Sequence, residues 1–191
     1  MFFKGTGGGL TYRMLEKLTR RNRFSDYLPY AAYDPETKVY HNIDDTVGFI
    51  WECVPLYFSD REIARTLEGL FRLAIPEGSV MQFILYADPY IKPVLEKHKA
   101  LKTRNEQTLL RTVNSYAGFL ENGTKGLERL NGIPVRTFRL FVTLKIPERE
   151  IAGQNLSLLC SYVQDFLKGA CLNPSLMRPE ELIGTLVRLF N

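Results

Sequence analysis

The residues that could carry out chemistry are few and widely spaced. The chain has two histidines, His41 and His98, and three cysteines, Cys53, Cys160 and Cys171. Neither histidine lies three or four residues from another soft metal ligand, and the cysteines form no C-x-x-C pair. The sequence therefore predicts neither a zinc site nor a disulfide framework, and we expect Cys53 and Cys160 to pack in an apolar core.

Four glutamates stand close enough in sequence to be considered as acid and base pairs. They are Glu148, Glu150, Glu180 and Glu181. Each pair follows a proline at a predicted helix start, where the helix dipole favours negative charge. We interpret them as helix-start acids, and we predict no catalytic residue from them.

The glycine-rich opening "GTGGG" (residues 5–9) raises the question of a phosphate-binding loop. Such a loop needs a strand before it, and a lysine and a hydroxyl residue directly after its last glycine. None of the 14 glycines in the chain is followed by lysine, and Leu10 stands where a dinucleotide-binding pattern starting at Gly5 would have its third glycine. We therefore expect no nucleotide or other cofactor to bind within these 191 residues.

Positive charge is concentrated at the start of the chain. Residues 1–23, the leader, contain six basic residues and one acidic residue, which gives this segment a net charge of +5. The whole chain has a net charge of +4, so the remainder carries −1. A basic segment gains about 1 kcal/mol per residue at an anionic lipid surface. We predict possible membrane or partner contacts at Lys17, Arg20, Arg21 and Arg23, and a solvated amphipathic helix is the alternative. Direct nucleic-acid binding is not expected, because the remainder of the chain would not extend the basic surface.

The stretch "FSDYLPYAAYDPETKVYHN" (residues 24–42) is rich in tyrosine. Proteins that stack nucleic-acid bases interleave aromatic with basic residues, whereas the neighbours here include Asp26, Asp34 and Glu36. Asp34 and Pro35 favour a turn. We expect two short strands joined by that turn, with the tyrosines packing on a sheet.

Hydrophobic periodicity predicts the remaining elements. A buried strand, "TVGFIWECVPL" from Thr46, precedes a helix over about 60–74 with a Ser59–Glu62 capping box. Another buried strand spans 78–87, and a Thr103–Glu106 capping box opens a helix ending near Asn122. In residues 136–146 apolar side chains alternate with mainly polar ones, as in a strand with one solvent-exposed face. Two amphipathic helices are predicted, one after Pro147 and one after Pro179.

The order of elements is β-β-β-α-β-α-β-α-α. The predicted hairpin within residues 24–42 and the strand over 136–146, with one solvent-exposed face, favour an α+β fold. In this fold a mixed, partly antiparallel sheet has helices packed mainly on one face. We predict a basic leader over 1–23 and a single domain over 24–191. No apolar run reaches the 18 or so residues that cross a bilayer, so we expect a cytoplasmic protein.

Several of these stretches together resemble a known family. They are the segment from Phe24 to Leu56, the capped helix after it, "IPEGSVMQFILYADPYI", and the final helix ending in "LFN". This combination resembles the N-terminal region of the TraC-type conjugative transfer ATPases of bacterial type IV secretion systems. The residues that carry the resemblance most specifically are Phe24, Asp26, Tyr27, Pro29, Tyr33, Asp34, Pro35 and Gly48.

The resemblance implies an N-terminal docking and assembly domain without catalytic residues of its own. ATP and Mg²⁺ would bind only in a P-loop motor domain after Asn191, and the final helix, which runs to Asn191 without a closing loop, agrees with that expectation. The implied partners are inner-membrane subunits of the secretion system, the motor domain and further copies of the full-length chain. The implied location is the cytoplasmic face of the inner membrane.

A different class of function remains open from the residues alone. A small enzyme or ligand-binding protein could have a pocket against the sheet around Trp51 and Tyr86. Scattered carboxylates with shifted pKa values lining a deep pocket would favour it, whereas a filled apolar core at that place would argue against it.

Overall fold

The computed structural model describes residues 28–103, 106–128, 131–151 and 155–190. The strands are β1 (Tyr30–Asp34), β2 (Val39–Asn42), β3 (Thr46–Cys53), β4 (Val80–Asp88), β5 (Thr137–Pro147) and β6 (Ser175–Leu176). The helices are α1 (Arg61–Leu70), α2 (Lys92–Ala100), α3 (Gln107–Gly123), α4 (Leu156–Gly169) and α5 (Pro179–Phe190), with a 3-10 turn at Glu148–Glu150.

The strands form one sheet in the order β1-β2-β3-β5-β4, and β6 pairs with the end of β3. β3 and β5 pair continuously from Thr46 opposite Pro147 to Cys53 opposite Leu140. The α+β class is confirmed. Every strand pair in the described ranges is antiparallel, so the sheet there lacks the parallel pair that a mixed sheet would contain.

The main core lies on one face of the sheet. Phe49 and Trp51 on β3 and Val142 and Leu144 on β5 point to this face and are buried. Helices α1 and α4 cover it with their apolar sides, including Leu70 and the four buried residues Leu159, Cys160, Val163 and Leu167 of α4. The burial of Cys53 and Cys160 confirms that both cysteines pack in the core.

A smaller core lies on the opposite face, under α5. Tyr40, Ile50 and Phe141 from three neighbouring strands pack there with Leu182 of α5 and with Met177. The Tyr40 hydroxyl donates to the Met177 carbonyl at 3.0 Å, and burial raises the pKa of this tyrosine. Two helices thus cover one face and one helix covers part of the other.

Helices α2 and α3 form an excursion between β4 and β5. They pack on each other through Ile91, Leu95 and Ala117, away from the two sheet cores. Helix α2 was not predicted, because its lysine-rich sequence has little apolar periodicity, although Pro93 is compatible with a first helical turn. The Thr103–Glu106 capping box is not formed, because Glu106 itself is the N-cap and its side chain makes no capping hydrogen bond.

Two other helix starts differ from prediction. At α1 the cap is Asp60 rather than Ser59: its Oδ1 accepts from the Ile63 amide at 2.8 Å, and the helix ends at Leu70 rather than near residue 74. At α4 the cap is Asn155, which accepts from the Leu158 amide at 3.1 Å. Pro147 therefore ends β5 and does not start a long helix.

The prediction that residues 78–87 form a buried strand was wrong in one respect. The strand exists as β4, but it lies at the edge of the sheet, and most of its side chains are exposed on both faces. Its apolar run resembles a central strand in sequence, yet within the described residues it has a neighbouring strand on one side only.

Candidate functional site

A connected group of polar side chains is centred on Arg139 of β5. Its Nε and Nη2 donate to the two carboxylate oxygens of Glu52 on β3, at 2.7 and 2.9 Å. Its Nη1 lies 3.5 Å from Asp88 Oδ2 at the end of β4, which makes that contact an ion pair more than a strong hydrogen bond. We call Glu52, Asp88, Arg139, Thr185 and Arg188 the ionic cluster.

The cluster ties the last helix to the sheet. Thr185 of α5 accepts from Arg139 at 3.3 Å and from Arg188 at 3.4 Å, and its hydroxyl donates to the Glu181 carbonyl at 2.8 Å. The Arg188 guanidinium lies 5.8 Å from the centre of the Tyr90 ring. Three strands and α5 thus meet through one guanidinium on β5.

Burial makes these contacts matter energetically. The Asp88 side chain is 2% exposed, Arg139 15% and Glu52 38%. Asp88 Oδ1 also accepts from the Tyr90 amide at 2.8 Å, so both carboxylate oxygens have partners. The hydrogen bonds to Glu52 are the main reason that the pKa of Arg139 is raised. A charge as buried as Asp88 depends on its cationic partner for stability.

An open cleft of about 460 Å³ lies beside the cluster, lined by Asp88, Arg139 and Arg188 together with Val54, Tyr90 and Phe138. Both carboxylates that line it, Glu52 and Asp88, are already paired with Arg139. Cys53 also borders the cleft, but burial raises the pKa of its thiol to about 12, which suppresses the thiolate that nucleophilic chemistry needs. The arrangement is built to hold β3, β4, β5 and α5 together.

The ionic cluster was not predicted from the sequence. In sequence, Glu52 lies within the apolar strand that begins at Thr46, Asp88 directly follows the strand over 78–87, and Arg139 lies on the polar face of the strand over 136–146. A charged residue within an otherwise apolar strand is the available signal, because it needs a partner from a neighbouring strand. The sequence does not indicate which strand is the neighbour.

The predicted contact residues of the leader, Lys17, Arg20, Arg21 and Arg23, lie outside the described residues. Phe24, Asp26 and Tyr27 also lie outside them. Their predicted roles therefore stay predictions.

The other residues of the predicted family motif build the start of the sheet. The Pro29 carbonyl accepts from the Ile43 amide at 2.8 Å, and the Tyr33 ring packs 4.8 Å from that of Tyr40. Asp34 holds the β1–β2 turn, which contains Pro35: its carboxylate accepts hydrogen bonds from the Thr37 hydroxyl and the Glu36 amide. These hydrogen bonds lower the pKa of Asp34. These motif residues thus lie beside β1, within it and in the β1–β2 turn.

Gly48 has a separate structural requirement. A Cβ at this position would lie 2.5 Å from the Leu144 carbonyl oxygen on the neighbouring strand. Only glycine permits this close approach of β3 to β5 without a shift of the backbone.

The pocket considered around Trp51 and Tyr86 is not formed. Trp51 pairs with Val142 and is fully buried in the main core, under α1 and α4. Tyr86 pairs with Arg139, three residues earlier on β5, and packs against the smaller core on the opposite face. Because successive side chains of a strand point to opposite faces, the two aromatic residues are separated by the sheet.

The comparison with known families decides the identity. A sequence model described as TraC protein matches residues 24–191. The chain belongs to the TraC protein family. Membership relates it to conjugative transfer and type IV secretion, and the match begins at Phe24, where the sequence resemblance begins.

The other comparisons add no relative to this TraC-family chain. No curated protein matches it, and no solved structure matches it. Among its described residues, no helix is long and apolar enough to span a membrane. The same residues contain no group of three or more histidine, cysteine or acidic side chains placed to hold a metal ion.

Proposed function

We propose that this chain is the non-catalytic N-terminal docking and assembly domain of a TraC-type conjugative transfer ATPase. In this proposal a P-loop motor domain follows Asn191 and binds ATP and Mg²⁺, and the protein acts at the cytoplasmic face of the inner membrane in pilus assembly. The observation that carries the proposal is the family match over residues 24–191. It is supported by the lack of any glycine followed by lysine in the chain.

The surface of α5 supports a role in packing against the motor domain. The ionic cluster holds this helix against three strands. Ile183 and Val187, four residues apart on its outer side, are exposed apolar residues. A helix anchored to the sheet on one side and apolar on the other suits a domain that must pack against its own motor.

The basic leader supports docking at a membrane surface. Lys17, Arg20, Arg21 and Arg23 place four positive charges within seven residues. Such a cluster attracts anionic lipid headgroups or an acidic surface of an inner-membrane subunit, and the attraction falls with salt. Assembly of several full-length copies would multiply this weak contact.

ATP turnover tests the division between this domain and the motor. The 191-residue chain and a chain extended past Asn191 into the motor domain are assayed side by side for ATP binding and hydrolysis. We expect activity only in the longer chain. Turnover by the shorter chain that survives repurification would contradict the proposal.

Vesicle sedimentation tests the leader. We expect binding to vesicles containing anionic lipid, lost at high salt and after combined substitution of Arg20, Arg21 and Arg23 by glutamate. The matched control replaces the exposed Arg61, Arg65 and Arg72 of the body by glutamate, which changes the net charge by the same amount. Equal loss in both triple variants would show a general charge effect and would contradict a docking role for the leader.

A further inference from the structure

The outer edge of β4 lacks the features that usually protect an exposed strand. β4 pairs with β5 over nine consecutive residues, Val80 to Asp88, without a bulge. It contains no proline, and its first charged residue is Asp88 at the very end. Natural edge strands are commonly short, bulged, charged or interrupted by proline, because an open row of backbone groups pairs with other strands.

β1, at the other side of the sheet, shows the contrast. It has five residues, its register is interrupted between Tyr30 and Ala32, Pro29 precedes it and Asp34 ends it. The sheet therefore has one edge with several protective features and one, β4, with none of them along eight of its nine residues.

Apolar side chains of β4 are exposed on both faces of the sheet. Phe83 and Leu85 lie on the face of the main core, and Val80 and Ile84 lie on the other face. Phe83 is 47% exposed although Val142, its partner on β5, is completely buried. The apolar rows of the core therefore continue to the edge and end there in the described residues.

The sequence of β4 complements itself. Antiparallel pairing of two copies about a twofold axis through Ile84 places Phe83 opposite Leu85 of the other strand, twice, and Ile84 opposite Ile84. It also places Gln82 opposite Tyr86 and Val80 opposite Asp88, so no like charges are opposed. Apolar residues on the core face of one copy thus meet apolar residues on the same face of the other.

We propose that β4 is the surface through which two copies of this chain associate, as an antiparallel β4–β4 pair centred on Ile84. The occupant is a second copy because the strand satisfies its own pairing requirements and presents no charge that calls for a partner of opposite sign. Association joins the two sheets into one and gives the exposed Phe83 and Leu85 apolar neighbours.

The first test compares two isoleucine variants of the 191-residue chain by sedimentation velocity over a concentration series. Ile84→Lys places two positive charges opposite each other at the proposed axis. Ile43→Lys is the matched control, because Ile43 is an exposed isoleucine in the β2–β3 turn at the far side of the sheet. We expect a concentration-dependent dimer for the parent and the control, and at least tenfold weaker association for Ile84→Lys with an unchanged circular dichroism spectrum.

The second test fixes the register by disulfide cross-linking. In a chain with the exposed Cys171 replaced by serine, Ile84→Cys brings the two introduced thiols directly opposite each other, within the Cα separation that a disulfide spans. Val80→Cys is the control: Val80 and Ile84 are similarly exposed, at 49% and 46%, but two copies of residue 80 lie about eight residues apart along the pair, roughly 27 Å. We expect rapid oxidation to a dimer for Ile84→Cys only.

Four results would overturn the inference. One is a monomer at all concentrations with no cross-linking; another is a dimer that Ile84→Lys leaves intact; the third is cross-linking of Val80→Cys in preference to Ile84→Cys. A monomer whose β4 outer-edge amides exchange slowly with solvent would also overturn it, since a segment of the same chain would then cover the edge. These results concern the sheet edge alone and do not depend on the proposed docking function, which the ATP and vesicle assays test separately.

Discussion

Replacing Arg139 by methionine should remove the cation that compensates the buried charge of Asp88. Glu52 is exposed enough to turn toward water, so the cost falls mainly on Asp88, which is 2% exposed and retains only its hydrogen bond from the Tyr90 amide. Breaking a buried ion pair from one side costs 3–5 kcal/mol, and because Asp88 keeps that bond we expect about 3 kcal/mol. The methionine preserves the apolar stem, so little of this loss comes from packing.

The sign of a second substitution separates an electrostatic cause from a packing cause. Asp88→Asn alone should be destabilising, because it weakens the contact with Arg139. In the Arg139→Met background the same change removes an uncompensated charge, and we expect it to restore about 1 kcal/mol, which is within the coupling energies measured for residues in contact. The double variant should therefore be more stable than Arg139→Met.

Urea unfolding followed by fluorescence measures these differences, because Trp51 is the single tryptophan and is completely buried. Circular dichroism serves as the second probe of a two-state transition. Arg149→Met is the matched control: Arg149 is 82% exposed and pairs with Glu150 at 3.5 Å, and such surface pairs contribute about 0–1 kcal/mol. A loss at Arg139 no larger than at Arg149, or an additive loss in the double variant, would refute the reasoning.

Two further predictions concern backbone contact and thiol burial. Gly48→Ala should lower the free energy of unfolding by about 2 kcal/mol, because its Cβ would meet the Leu144 carbonyl oxygen. Gly184→Ala, with open space around it on α5, should raise the free energy of unfolding by about 0.5–1 kcal/mol. Equal effects in urea unfolding would contradict the assigned clash. Burial raises the pKa of Cys53 to about 12 and that of Cys160 to about 11. A thiol reagent should therefore modify only Cys171 in the native chain, at pH 7 and at pH 9, and all three cysteines in urea. Modification of two or three thiols in the native chain at pH 7 would show that the core opens.

The outcome for individual elements shows which sequence signals are sufficient. β3 was predicted as a buried strand and β5 as a strand with one apolar face, because alternation along a strand depends only on local chain geometry. The final helix was predicted from Pro179 for the same reason, since its apolar spacing is a local property. The helix caps were less reliable: Asp60 competes with Ser59 one residue away, and both are good capping residues.

Non-local features could not be predicted. β4 has the apolar sequence of a central strand, and only its place at the end of the strand order leaves it exposed. The pocket hypothesis at Trp51 and Tyr86 failed because it needed the register of β3, β5 and β4, which places the two rings on opposite faces. The leader residues that carry the membrane prediction lie outside the described part of the chain, so that prediction stands on charge alone.

The family, the α+β class and the apolar face of β5 can be recognised from the sequence, because motif residues and hydrophobic periodicity are properties of neighbouring positions in the chain. Tertiary structure alone decided that Glu52, Asp88 and Arg139, up to 87 residues apart in sequence, form one buried cluster with α5. It also decided that β4 is an open edge. Both features depend on which strands become neighbours, and strand order is set by the sum of many long-range contacts rather than by any local run of residues.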